Sequence, residues 1–263
     1  MDLGISNKVA VVLAASKGLG RAAAEALAAE GARVIIGSRN QEELEKTAQE
    51  ISQKTGSQVV GFPVDVTDAA QAESFIAKAV QQFGRIDILV NNAGGPPFGL
   101  VESFDEAQWQ SAFELNLLST VRMTRLVLPH LKKTGSGRII NIVSMSVKSV
   151  LEGSVLSTSI RMGVIGMAKL LADEVGSDQI TVNNVCPGMI LTDRIRSSGI
   201  KKELAAGMTE EEALQKKAKT IPLRRIGKPE ELAALIAFLA SEKASYITGD
   251  TIQVDGGVMR SIF

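Results

Sequence analysis

Residues 11–31 read "VVLAASKGLGRAAAEALAAEG". A β-branched apolar run ends in a turn of small residues, two glycines follow, and an alanine-rich helical pattern begins. The first N–H groups of a helix have no intrahelical acceptors, and the helix dipole adds a positive end. Gly18 and Gly20 permit a tight turn and close backbone approach, so a pyrophosphate fits there. Read as G-x-G-x-x-A, the match is Gly18, Gly20 and Ala23. The spacing carries weight only if strand and helix recur downstream as β-α-β units.

They recur. Strand-like runs follow at "ARVIIGS" (32–38), "QVVGFPVD" (58–65), "IDILVNNAG" (86–94), "GRIINIVS" (137–144), "QITVNNVCPG" (179–188) and "DTIQVDGG" (250–257). Between them lie helical patterns at about 40–55, 69–84, 105–133, 153–174 and 229–240. Such alternation predicts one doubly wound, Rossmann-type α/β domain over 1–263, with a seven-stranded parallel sheet flanked by helices. Two segments break the rhythm. "GGPPFG" (94–99) is a Gly/Pro loop after the fourth strand. Residues 193–220 carry mixed charge. That charge suits a solvated helical face, and equally a substrate lid, because open α/β sheets bind ligands beyond the carboxyl ends of their strands.

Composition removes whole classes of function. Lys and Arg total 29, Asp and Glu 29, so the net charge is zero and nothing points to nucleic acid or an anionic membrane. No run of 18 apolar residues occurs, so no membrane span is expected. The start "MDLGISNK" lacks the basic and apolar regions of a signal peptide, and a cytoplasmic location is expected. The one cysteine, Cys186, lies in a strand-like run and reads as a packed thiol. The one histidine, His130, reads as an ordinary residue near a helix end, which excludes a histidine metal cluster within one chain.

The end of the second strand selects the dinucleotide. An Asp or Glu there would bind the adenosine ribose hydroxyls of NAD. This chain has "IIGSRN" (35–40), with Ser38 and Arg39 and no acid. Arg39 can hold a 2′-phosphate through charge-assisted bonds, Ser38 can add one, and Lys17 in the glycine turn offers a second cation. NADP(H) is therefore the expected cofactor.

Further motifs fall in a recognisable order: "AASKGLG" (14–20), "VDVTD" (64–68), "NNAG" (91–94), "LNLLS" (115–119), "GRIINIVS" (137–144), "VNNVCPGMILTD" (182–193) and "YITGDTIQVDGG" (246–257). With these the chain resembles the short-chain dehydrogenase/reductase family, and within it the 3-oxoacyl-acyl-carrier-protein reductases, over essentially its whole length. The resemblance implies that Ala14, Ser16, Lys17, Gly18, Leu19 and Gly20 bind the cofactor. It implies that Asp65 and Val66 flank the adenine and that Asn92, Ala93 and Gly94 line the cofactor. Pro187, Gly188, Ile190 and Thr192 would face the nicotinamide end. Ala14 stands where the family usually has glycine; alanine fits there at negative φ.

The family's active residues are Asn, Ser, Tyr and Lys. Asn116 and Ser144 match the first two. Ser157 stands at the tyrosine position and Arg161 at the lysine position, four apart and so on one helix face. An aliphatic hydroxyl is a far weaker acid than a phenol of pKa about 10. Arg161 keeps its proton, can bind the nicotinamide ribose and can polarise an oxygen. Two readings follow. One is an NADP(H)-dependent oxidoreductase interconverting a carbonyl and an alcohol, using Ser144, Arg161 and water or Lys148 for the proton. The other is an NADP(H)-binding protein with little turnover. A plain structural alternative makes Ser157 a helix-start hydroxyl and Arg161 a solvated residue. The resemblance also implies a homotetramer. One two-fold would pair the last strand and the 229–240 helix. The other would pair the helices at 105–133 and 155–175, with Gly163, Gly166 and Ala168 allowing close approach.

Overall fold

The computed structural model describes residues 2–260. Strand β1 (Val9–Leu13) is buried along its whole length. Its side chains alternate between two cores: Ala10 and Val12 enter one, Val9, Val11 and Leu13 the other. A strand covered on both faces must be apolar throughout, which explains the run "VAVVL".

The remaining strands are β2 (Arg33–Ser38), β3 (Val59–Pro63), β4 (Ile88–Asn91), β5 (Arg138–Ile142), β6 (Thr181–Pro187) and β7 (Thr251–Val254). They form one seven-stranded sheet in the order β3-β2-β1-β4-β5-β6-β7, and every pairing is parallel. The chain order reverses between β1 and β4, which opens a crevice at the carboxyl ends of those strands.

Helices α1 (Gly18–Ala29), α2 (Gln41–Thr55) and α9 (Pro229–Ala240) cover one face. Helices α3 (Ala69–Phe83), α5 (Ser119–Thr134) and α6 (Val155–Glu174) cover the other. The starts of α2 and α3 follow their sequence: Asn40 and Asp68 each accept a hydrogen bond from the backbone N–H three residues on, at 3.0 Å.

The 105–133 pattern is not one helix. It divides into α4 (Glu106–Phe113), a π-helical turn (Glu114–Leu118) and α5. Asn116 lies inside the π turn. A π turn is an irregularity often found at functional sites, and apolar periodicity does not reveal it.

The 193–220 segment holds a second π turn (Ile195–Gly199), α7 (Lys201–Ala205) and α8 (Glu210–Ala218). Only Ala213 of α8 is buried, so the charges of that helix form a solvated face. Helix α6 is long and apolar enough, by length and composition, to cross a membrane. Here it packs on the sheet through Ala168, Leu171 and Ala172.

One expectation fails at the glycine turn. Ala14 adopts φ +48°, not the negative φ at which alanine is comfortable. The left-handed region costs an L-residue roughly 1–2 kcal/mol. The turn therefore keeps the backbone path a glycine would follow and carries the strain locally. Ala14→Gly should relieve it. Part of the gain is offset by the greater freedom of glycine in the unfolded chain, about 0.4–1 kcal/mol. The net effect expected is a rise in Tm of about 1–3 °C in a thermal melt. A lowered Tm would show that the strain is absent.

Candidate active site

The first turn of α1 contains no acidic residue, and its N-cap, Lys17, makes no side-chain capping bond. The leading N–H groups are thus left for an anion. Gly18 sits at φ +61° and faces Thr192: a Cβ there would lie 3.7 Å from the threonine methyl. Gly20 is required by contact, because a Cβ would fall 2.4 Å from the Ala14 carbonyl oxygen and 2.9 Å from Asn92 Nδ2. Asn92 Nδ2 donates to that same carbonyl at 3.3 Å, tying the end of β4 to the turn. Thr47 of α2 donates to the Ser16 carbonyl at 2.9 Å. Leu19 packs against the core beneath α1.

At the end of β2, Ser38 is half-buried and Arg39 exposed. Asp65 accepts from the Thr67 hydroxyl at 2.6 Å and from its backbone N–H at 2.9 Å. The hydroxyl bond, against the opposing pull of burial, holds the Asp65 carboxyl below its usual range, and the Arg39 charge adds to the effect. Arg39 follows Ser38, which pairs with Pro63 at the end of β3. Arg122 of α5 donates to the Val66 carbonyl at 2.6 Å and steadies this segment.

The candidate catalytic residues lie beyond β4, β5 and β6. Ser144 follows β5; its Oγ accepts from the Ser146 N–H at 3.2 Å. Ser146 is 2% exposed, and its Oγ lies 3.3 Å from Ser157 Oγ. Ser146, absent from the sequence reading, thus touches both: its backbone N–H meets Ser144 and its hydroxyl meets Ser157. Asn116 is 2% exposed; its Nδ2 donates to the Ala112 carbonyl at 3.2 Å, and its Oδ1 has no partner.

Arg161 overturns the solvated reading. It is 6% exposed, donates from Nη1 to the Ile142 carbonyl at 3.1 Å, and leaves Nε unpartnered. Burial, and then the charge of Arg194, bring its pKa down to about 10, so it remains a cation at neutral pH. The Lys148 ammonium donates to Gln253 on β7 at 2.8 Å.

Cys186 is fully buried behind Ser144, and burial raises its thiol pKa to about 11, as befits a packed, unreactive group. Pro187 ends β6, Gly188 passes within 2.5 Å (measured from its would-be Cβ) of Asp255, and buried Ile190 pairs with Gly227. Ala93 is half-buried, whereas a Cβ on Gly94 would meet nothing within 4 Å, so open space lies before it.

Arg194 was not singled out by sequence either. It donates to the carbonyls of Gly95 (2.9 Å) and Pro96 (2.7 Å), and its guanidinium lies 5.3 Å from the Phe98 ring centre. It joins the segment after β6 to the loop after β4, across the crevice mouth. His130 and Tyr246 stay outside: His130 is on the last turn but one of α5, toward the amino end of β5, and Tyr246 is fully exposed. Burial, then Lys133, lowers the His130 pKa.

These residues suit a dinucleotide: an open N-terminus on α1, cations beside a phosphate position, and buried unpartnered polar atoms at the far end. Comparison with known proteins agrees. The family model described as enoyl-(acyl carrier protein) reductase matches residues 13–259. The 3-oxoacyl-acyl-carrier-protein reductase FabG of Escherichia coli is 39% identical over 256 residues, covering 97% of this chain and 99% of that protein. L-sorbose reductase from Gluconobacter frateurii, solved with NADPH and L-sorbose, superposes with a TM-score of 0.95 at 33% identity over 100% of both chains. YwfH, an NADPH-dependent reductase involved in bacilysin biosynthesis, gives 0.89 at 32% identity over 98% of this chain and 100% of its own. The chain belongs to the short-chain dehydrogenase/reductase family.

Proposed function

We propose that the protein is an NADP(H)-dependent oxidoreductase that interconverts a small-molecule carbonyl and alcohol, with Ser157 and Arg161 replacing the family's Tyr and Lys. The observation that carries this reading is Arg161: a charged side chain kept 94% buried at the ends of β5 and β6, with one backbone bond and a free Nε. Burying an unpaired charge costs several kcal/mol, and a residue without a task at that place would be replaced by an apolar one.

When bound, the nicotinamide supplies or accepts the hydride. The chain's own residues do the rest. The α1 N-terminus with Gly18 and Gly20 binds the diphosphate, and Lys17, Ser38 and Arg39 bind the 2′-phosphate. Ser144 donates to the substrate oxygen. Ser157, whose hydroxyl lies 3.3 Å from that of Ser146, or water supplies the proton, and the Arg161 charge stabilises negative charge building on the oxygen. General acid–base help is typically worth about 10²–10⁴-fold. Without a phenol, turnover of ordinary ketones is expected to be slow. The second reading, an NADP(H) sensor or partner subunit, is favoured by that missing phenol alone.

We further propose one domain whose 193–220 segment closes over the site as a lid. The location is cytoplasmic, and neither nucleic acid nor membrane is a partner. The assembly is a homotetramer. Its helix interface needs revision from the sequence reading: Ala168 is fully buried in the chain's own core, and a Cβ on Gly163 would strike Leu117 at 2.8 Å. A Cβ on Gly166 would meet nothing within 4 Å, and Gly166 lies between exposed Met162 and Leu170 at spacings of four. That stripe fits a second helix. Sedimentation at micromolar concentration should give four times the 27.9 kDa chain mass; a monomer would contradict the assembly.

NADPH should bind more than tenfold tighter than NADH, since each charge-assisted bond contributes about 1.5–3 kcal/mol, and Arg39→Ala should remove most of the difference. Equal affinities in the unmodified protein would refute the cofactor assignment. NADPH oxidation against ketones, β-ketoacyl thioesters and quinones, with a binding titration alongside, tests turnover. Ser157→Tyr with Arg161→Lys should raise β-ketoacyl reduction, and Ser157→Tyr alone should raise it less. If the unmodified protein turns over quickly and Ser157→Ala abolishes this without unfolding, the serine is itself an efficient donor and the slow-turnover account is wrong.

A further inference from the structure

One short segment spans the crevice from side to side. At one end is Thr192, whose methyl would lie 3.7 Å from a Cβ built on Gly18, at the start of α1. At the other is Arg194, which donates to the carbonyls of Gly95 (2.9 Å) and Pro96 (2.7 Å) on the loop after β4. The glycine turn follows β1, and the sheet reverses between β1 and β4. Residues 192–194 therefore cross the switch point, over the opening through which a ligand reaches the strand ends.

The loop is shaped to receive this guanidinium. Gly95 lacks a side chain where one would collide: a Cβ there would fall 2.7 Å from Arg194 Cζ and Nη2 and 2.9 Å from Nε. Phe98 supplies an aromatic face, its ring centre 5.3 Å from Cζ. Two carbonyls, a ring and a missing Cβ thus converge on one side chain. Both acceptors are neutral and Arg194 is exposed, so the guanidinium exchanges carbonyls for water at small cost and the contact can open. Behind it, Arg196 pairs with Glu210, and Lys217 with Glu203 at 2.9 Å, which ties the π turn and α7 to α8.

We infer that Arg194 is a latch: seated on Gly95 and Pro96, it closes the 192–194 strap over the crevice, and NADP(H) enters or leaves only after the guanidinium lets go. This rests on the cofactor reading proposed above and adds to it the control of cofactor exchange. A contact that gates the path without touching the cofactor slows entry and exit alike and leaves the binding equilibrium unchanged.

Two substitutions open the latch from opposite sides. Arg194→Met keeps a long unbranched side chain and removes the donors. Gly95→Ala puts a methyl where the guanidinium sits; Gly95 is not at positive φ, so its backbone accepts alanine, and the end of a flexible side chain is what gives way. In stopped-flow binding of NADPH, each variant should raise kon and koff together by about fivefold or more, with Kd held within about twofold. The double variant should be no faster than either single one, because there is one latch to lose. Unchanged rates overturn the inference, and so do effects that multiply in the double variant. A rise in koff alone, with Kd weakened to match, also overturns it, since Arg194 would then be a cofactor contact. Hydrogen exchange of residues 195–200, measured without NADPH, should quicken severalfold in both single variants; unchanged exchange contradicts the latch. Failure of NADPH to bind is a different result: it removes the cofactor reading, and hydrogen exchange alone then decides whether the strap is latched.

Discussion

A row of buried amides holds the centre of the sheet in register. Asn91 Nδ2 donates to Asn141 Oδ1 at 2.9 Å, Asn141 Nδ2 donates to Asn184 Oδ1 at 2.9 Å, and Asn184 Nδ2 donates to Thr251 Oγ1 at 3.1 Å. Asn91, Asn141, Asn184 and Thr251 are direct partners across β4, β5, β6 and β7. Apolar side chains tolerate many pairings, but a side-chain amide buried without a partner costs about 1–3 kcal/mol. A slip of one residue would turn each asparagine to the other face and leave it without its neighbour. The ladder therefore fixes four strands at once, and Thr124 of α5 accepts from Asn91 at 3.1 Å and fastens a helix to it.

The chemistry hangs from the carboxyl ends of those strands. Asn92 follows Asn91 directly and reaches back to the glycine turn; Ser144 comes three residues after Asn141; Cys186 and Pro187 follow Asn184 by two and three. Because the register is fixed, these groups meet at one point. Arg161 arrives there from α6 and is held by the last carbonyl of β5. Its burial is unfavourable to folding, because no ion pair offsets the lost hydration of the charge. Loss of that charge should make the chain more stable and less able to hold ligand. This opposition is the usual mark of a residue kept for function.

Much of this was legible in the sequence. The alternation of apolar strands and amphipathic helices gave the sheet and its flanking layers, because strands buried on both faces must be apolar throughout. The glycine turn was legible because its positions are set by local backbone needs, with Gly20 packed against the Ala14 carbonyl. What escaped were features that arise only when distant segments meet. Asn91, Asn141 and Asn184 each sit in a strand-like run, and a polar residue repeated in three otherwise apolar strands was the available signal. Ser146 lies outside every strand-like or helical run, so no pattern marks it. Arg194 looked like one more charge in a charged segment, and only the return of the Gly/Pro loop shows its two carbonyl partners. The π turn around Asn116 leaves the apolar period almost unchanged. The positive φ of Ala14 could not be inferred, because alanine rarely adopts it.

A crystal structure of the protein with NADPH tests the account most directly. It predicts the 2′-phosphate within hydrogen-bond distance of Arg39, the diphosphate on the N–H groups that open α1, and the nicotinamide ring beside Arg161 and Ser144. A 2′-phosphate placed away from Arg39, or an Arg161 separated from the nicotinamide end by other side chains, would contradict it.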